Sequence, residues 1–86
     1  MSGFHLTVRL AEPLREGVGE TITIATPVRN VGELVALLEA RIPAFAGSHD
    51  ELYNFAINGE LLLHGEKDAP LASGDEVELL VAFAGG

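Results

Sequence analysis

Residues 74–86 read GDEVELLVAFAGG. From Glu76 onward the side chains alternate. Val77, Leu79, Val81 and Phe83 fall on one side, and Glu76, Glu78, Leu80 and Ala82 on the other. A period of two is the signature of a strand. The second half of the run is apolar on both sides, which predicts a strand in the middle of a sheet with a helix over one face. Ser73-Gly74-Asp75 supplies a turn just before it. Two bare glycines, Gly85 and Gly86, then follow the strand. Glycine adds no burial and loses backbone entropy on ordering. Such a tail is either slack or a segment whose use requires having no side chains.

Working outward, FHLTVRL (residues 4–10) alternates with Phe4, Leu6, Val8 and Leu10 on one side. ETITIAT (residues 20–26) alternates again, placing Ile22 and Ile24 together. The linking AEPLREGVGE carries Pro13, Gly17 and Gly19 and reads as the loop of an antiparallel hairpin. The period then changes. Val31, Leu34, Val35, Leu38 and Ile42 share one helical face, Asn30 is placed to cap, and Glu33 completes a capping-box pattern. Pro43 predicts a helix end near Arg41. In LYNFAINGELLLHG, Tyr53, Phe55 and Ile57 share a face, and Asn58-Gly59 marks a tight turn between two short strands. The order strand, strand, helix, strand, strand, strand is most economically buried as α+β: a mixed sheet of four to five strands with one main helix packed on it. This is a β-grasp, or ubiquitin-like, roll. The expected division is a domain over residues 1–82 and a flexible Gly-Gly tail over residues 83–86.

Eighty-six residues, 48% of them hydrophobic, suffice for one core and argue against intrinsic disorder. Thirteen acids stand against five Lys and Arg, giving a net charge of −8. A chain so acidic is not expected to bind a nucleic acid backbone; it is drawn to basic protein surfaces. The lack of cysteine removes disulfides and thiol chemistry and fits a reducing cytoplasm. The start MSGFHLTVRL has no basic segment followed by a long apolar run, so no signal peptide and no membrane association are expected.

Catalytic apparatus is hard to assemble from this chain. His5, His49 and His64 lack ligand spacing, so no metal is expected. Ser2, Ser48 and Ser73 sit in no nucleophile elbow. Glu76 and Glu78 read as a solvated strand edge that deters edge-to-edge pairing. Gly17 and Gly19 precede no helix and so form no phosphate loop. The tail remains. A carboxylate to be activated with ATP must enter another protein's active site, and a thin terminus fits a narrow channel where side chains clash. Sulfide-level sulfur attacking the resulting anhydride gives a thiocarboxylate. Leu80 and Ala82, with Leu61 or Leu63 alongside, form a candidate apolar partner surface; burial under a loop is the competing account.

Five segments in this order resemble the ubiquitin-like sulfur-carrier family, most of all the small subunit of molybdopterin synthase. They are VRLAEPLREGVGETITI, VGELVALLEARIPAF, INGE, LASGDEVELL and the final GG. The resemblance covers essentially the whole chain. It implies a non-catalytic carrier that binds no cofactor itself. Gly86 would be adenylated by a ubiquitin-activating-type adenylyltransferase using ATP, then thiocarboxylated, with Phe83, Ala84 and Gly85 in the partner's channel. The sulfur acceptor would be the molybdopterin synthase large subunit or another enzyme. VAFAGG lacks the proline usual before the glycines in the molybdopterin branch, and GSHDELYNFAINGE is longer than its counterpart in thiamine-pathway carriers. Sulfur donation for cysteine or thiamine synthesis, and conjugation to other proteins through the C-terminal glycine, stand as alternatives.

Overall fold

The computed structural model describes residues 3–43, 45, 53–62 and 67–81. Five strands and one helix follow in chain order: β1 (Leu6–Arg9), β2 (Thr21–Ile24), α1 (Val31–Arg41), β3 (Tyr53–Ile57), β4 (Glu60–Leu61) and β5 (Glu76–Val81). They form one mixed sheet in the order β2-β1-β5-β3-β4. β1 pairs antiparallel with β2 and parallel with β5, whereas β3 runs antiparallel to both β5 and β4. This is the β-grasp roll that the period changes predict, with β5 at its centre.

Each boundary has a local cause. Asn30 is extended, and its Oδ1 accepts from the backbone N–H of Glu33 at 2.9 Å, satisfying one of the unpaired donors of the first helical turn. The capping-box expectation holds only in that half. Glu33 does not return to Asn30; its carboxylate accepts from the backbone N–H of Arg29 at 2.7 Å and from the Arg29 guanidinium at 3.1 Å. A short strap over residues 67–71 satisfies further groups: the Val31 and Gly32 N–H groups donate to the carbonyls of Ala69 and Lys67, and Leu71 N–H donates to Arg29. At the other end Ile42, followed by Pro43, leaves helical geometry.

Asn58 and Gly59 take φ values of 52° and 88°, the left-handed pair that a tight hairpin needs between β3 and β4. The β1–β2 connection is more structured than its glycines suggest. It contains a 3-10 turn over Glu12–Leu14 that drives Leu14 into the core, and Leu10 N–H donates to Glu20 to extend the hairpin ladder.

The core lies between the sheet and α1. Leu6 and Val8 from β1, Ile24 from β2, Phe55 from β3, and Val77 and Leu79 from β5 meet Val31, Leu34, Val35 and Leu38 of the helix. Phe45 closes one end, with its ring 5.8 Å from Tyr53 and 6.3 Å from Phe55 between centroids. Burying such side chains contributes roughly 1.5–3 kcal/mol each before entropy is counted.

Candidate functional site at the C-terminal end of the central strand

Of the residues singled out for partner binding, Leu80 lies within the described residues. Ala82, Phe83, Ala84, Gly85 and Gly86, together with Leu63, lie outside them. The site can therefore be built only as far as β5 itself. Five residues follow Val81 in the sequence. Fully extended, five residues reach roughly 17 Å.

β5 cannot slip or tilt easily, because it is paired on both sides. Tyr53 to Ile57 of β3 match Val81 back to Val77, and Thr7 to Arg9 of β1 match Glu76 to Glu78. The turn before β5 is also pinned. Gly74 N–H donates to His5 at 2.7 Å, Asp75 Oδ2 accepts from Ala72 N–H, and Asn58 Nδ2 donates to Asp75 Oδ1. The strand is thus held by both neighbours through Glu78 and by β3 alone from there to Val81.

The face of the sheet turned away from α1 follows from register. Glu78 stands opposite Ala56 of β3 and Arg9 of β1, and Ala56 in turn opposes Leu61 of β4. Leu80 opposes Asn54. Leu61 is 45% exposed, and Leu80 and Glu78 are half-buried. Ala56 is only 5% exposed yet does not belong to the core cluster. The competing expectation, that a loop covers Leu61 and Leu80, does not hold for the exposed Leu61.

Glu76 and Glu78 do not guard an edge, because β5 is central; the edges are β2 and β4. Their charges serve the outward face instead. Arg9 Nη1 lies 3.9 Å from Glu76 Oε2 with both side chains more than half exposed, a weak pair. Glu78 makes no ion pair or side-chain hydrogen bond among the described residues. Sequence reading passed over Ala56 and Glu78 as a pair. Alternation in YNFAI places Ala56 opposite to Phe55 in sense, and that was the available signal.

At the other end of β5, an open groove of about 330 Å³ is lined by Ile57, Asn58, Glu60, Leu62 and Pro70, among others. Asn58 and Asp75, its central polar residues, are bound to each other and to backbone. Among the described residues no three His, Cys, Asp or Glu side chains gather to hold a metal. No helix among them is long and apolar enough to cross a membrane.

The chain is similar to several solved structures. The Haloferax volcanii HVO 2177 protein is 28% identical, with 96% of this chain and 87% of that one covered and a TM-score of 0.79. A chain in the BexX/CysO complex of Amycolatopsis orientalis is 25% identical, with coverage of 94% and 99% and a TM-score of 0.67. A chain in the complex of subunits 1 and 2 of molybdopterin-converting factor from Helicobacter pylori 26695 is 24% identical, with coverage of 95% and 99% and a TM-score of 0.66. No curated protein matches the sequence. The ThiS family model matches residues 8–86, from the second half of β1 through both terminal glycines. With a ubiquitin-like β-grasp body and that match over nearly its whole length, the chain belongs to the ThiS family of sulfur carriers.

Proposed function

We propose that the chain is a non-catalytic sulfur carrier working through Gly86 in molybdopterin biosynthesis. The observation that carries this reading is the family match running through Gly85 and Gly86, on a chain whose central strand leads toward those residues. In the proposed sequence a ubiquitin-activating-type adenylyltransferase binds the chain and ATP. A Gly86 carboxylate oxygen attacks the α-phosphorus, and the bond to pyrophosphate breaks. Sulfide-level sulfur then attacks the acyl carbon and expels AMP, leaving a thiocarboxylate. When the donor is a persulfide, a thiol must also reduce the sulfur–sulfur bond. ATP belongs to the activating partner.

The body's part is mechanical and electrostatic. A strand paired with β1 as far as Glu78 and with β3 as far as Val81 carries residues 82–86, so a partner that grips the body also limits where they can reach. Gly85 and Gly86 present no Cβ to a narrow channel. The excess of acids steers the carrier toward basic surfaces, more weakly as salt rises. Likeness to a chain in the two-subunit molybdopterin-converting factor complex supports a large-subunit acceptor as the second partner.

The test is ATP–pyrophosphate exchange with the host's adenylyltransferase, followed by intact mass. Exchange that depends on the chain, an oxygen-to-sulfur mass increment, and sulfur transfer to the host's molybdopterin synthase large subunit are expected. Adding one residue after Gly86 should abolish all three. Exchange that survives the extension overturns the role of Gly86. A thiocarboxylate that the large subunit cannot use overturns the pathway, and lysine-linked adducts in its place overturn the carrier reading in favour of a protein modifier.

A further inference from the structure

The two edges of the sheet are finished differently. β4 is two residues long and carries the charge of Glu60. Short edge strands and edge charges deter pairing with another chain. β2 has neither charge nor proline, and after Glu20 the next charged residue in the sequence is Arg29. Register fixes which groups this edge presents. Leu10 N–H donates to the Glu20 carbonyl at 2.8 Å, so the positions that β2 bonds to β1 are Glu20, Ile22 and Ile24. Thr21 and Thr23 fall between them. Opposite Thr23, the Thr7 N–H turns the other way and donates to Asp75 at 3.2 Å. The N–H and C=O groups of Thr21 and Thr23 therefore point past the edge of the sheet. Among the described residues no loop or side chain bonds to them.

We infer that β2 is a self-pairing edge: two copies of the chain join β2 to β2, antiparallel about a two-fold axis at Ile22, into one continuous sheet. This register sets Thr21 of each copy opposite Thr23 of the other. Both pairs are of the bonded kind, so the outward backbone groups of all four threonines are satisfied. Ile22 meets its twin at the non-bonded position between them, where side chains approach most closely. Ile22 is half-buried against the core of its own copy, and the twin covers more of it. On the opposite face the threonine side chains pair across the seam. Self-complementarity selects the occupant, because β2 has no charge with which to choose a foreign segment. Glu20 falls opposite Ile24 of the other copy, not opposite its like, and Arg15 Nη1 lies 3.8 Å from its carboxylate. Against pairing stands the charge of −8 on each copy, a repulsion that salt screens. Association of two copies therefore strengthens as salt rises, the reverse of association with a basic partner. An edge of four residues buries far less than the roughly 1,200 Å² of a stable interface, so the dimer is weak and reversible. The two-fold runs β5 of the two copies in opposite directions and covers neither, so the pairing is independent of the proposed function.

The experiment is sedimentation equilibrium of the full chain at concentrations up to about 1 mM. The weight-average mass is expected to rise above the 9.1 kDa monomer with concentration. The association constant should be about ten-fold higher at about 1 M salt than at about 0.05 M. Thr23→Pro removes an outward N–H and leaves the ladder to β1 whole, as a proline on an edge strand can. It should lower the association constant at least about ten-fold at an unchanged thermal midpoint. Should Thr23→Pro fail to fold, cysteine variants carry the test. The chain has no cysteine of its own, so an introduced thiol can pair only with its twin. Non-bonded antiparallel positions stand about 4.5 Å apart between Cα atoms, within the span of a disulfide. With oxidised glutathione as electron acceptor, Ile22→Cys should form the linked dimer about ten-fold faster than Thr21→Cys, whose thiol faces Thr23 of the other copy. A mass fixed at the monomer value, an association that weakens as salt rises, an association untouched by Thr23→Pro, or equal linking rates for the two cysteine variants overturns the pairing. None of these outcomes bears on the role of Gly86.

Discussion

The two faces of one sheet are built from the same strands and have opposite characters. Along β5, Val77 and Leu79 are buried in the core that includes the helix, while Glu76 at the start of the strand is exposed, and Glu78 and Leu80 are half-buried. Along β3, Phe55 joins the core and Ala56 does not. Buried surface on the helix side holds the body together. The other side is left partly apolar and partly charged, an arrangement that adds little to stability and leaves that face for the proposed partner contacts. In this small domain the division of labour runs through the thickness of a single strand.

That comparison breaks most easily on the inner face. Leu79→Ala, like Leu34→Ala, should destabilise the protein by about 2–5 kcal/mol, read as a lower denaturant midpoint at unchanged slope. Gly59→Ala, which forces a side chain to φ near 88° at the β3–β4 turn, should cost roughly 1–2 kcal/mol by the same measurement. Asn30→Ala removes the helix cap and should cost about 1 kcal/mol. Leu61→Ser on the outer face should stay within about 0.5 kcal/mol of wild type. A Leu61→Ser loss as large as that of Leu79→Ala would mean that both faces carry the fold.

The smallest expected effect concerns acid. Backbone and guanidinium hydrogen bonds from Arg29 hold the Glu33 carboxyl below the ordinary carboxylate range. A lowered folded-state value means stabilisation that is present above the unfolded-state value and lost as pH falls through the folded one. Stability should therefore decline slightly in acid. Glu33→Gln should flatten that part of the profile, measured by thermal midpoint against pH.

Much of the fold was legible because its signals are local. Alternation gave β1, β2 and β5; the spacing of Val31, Leu34, Val35 and Leu38 gave the helix; Asn58-Gly59 gave the β3–β4 turn. The 3-10 turn at Glu12–Leu14 was hidden among loop residues, since a single buried Leu14 has no period. The path of Glu33 to Arg29 was equally hidden, because it depends on where the chain enters the helix and not on the motif. The outward face was legible in part. Leu80 and Leu61 stand out as apolar residues on an outward face, but Ala56 gains its meaning only from a register that joins β3 to β4 and β5. That Glu78 has no ion-pair partner among the described residues, with Arg9 turned to Glu76, is likewise a choice no linear pattern encodes.

Among the described residues β5 is the last strand, and it occupies the middle of the sheet. Until it is inserted, β1–β2 and β3–β4 are two separate hairpins with no seam between them. Synthesis delivers residues from the amino end onward, and contacts between distant parts of a chain form late. A protein shortened before Glu76 has no route to this topology. Completion of the sheet therefore waits on Glu76–Val81, and copies lacking that segment lack the strand that joins the two hairpins.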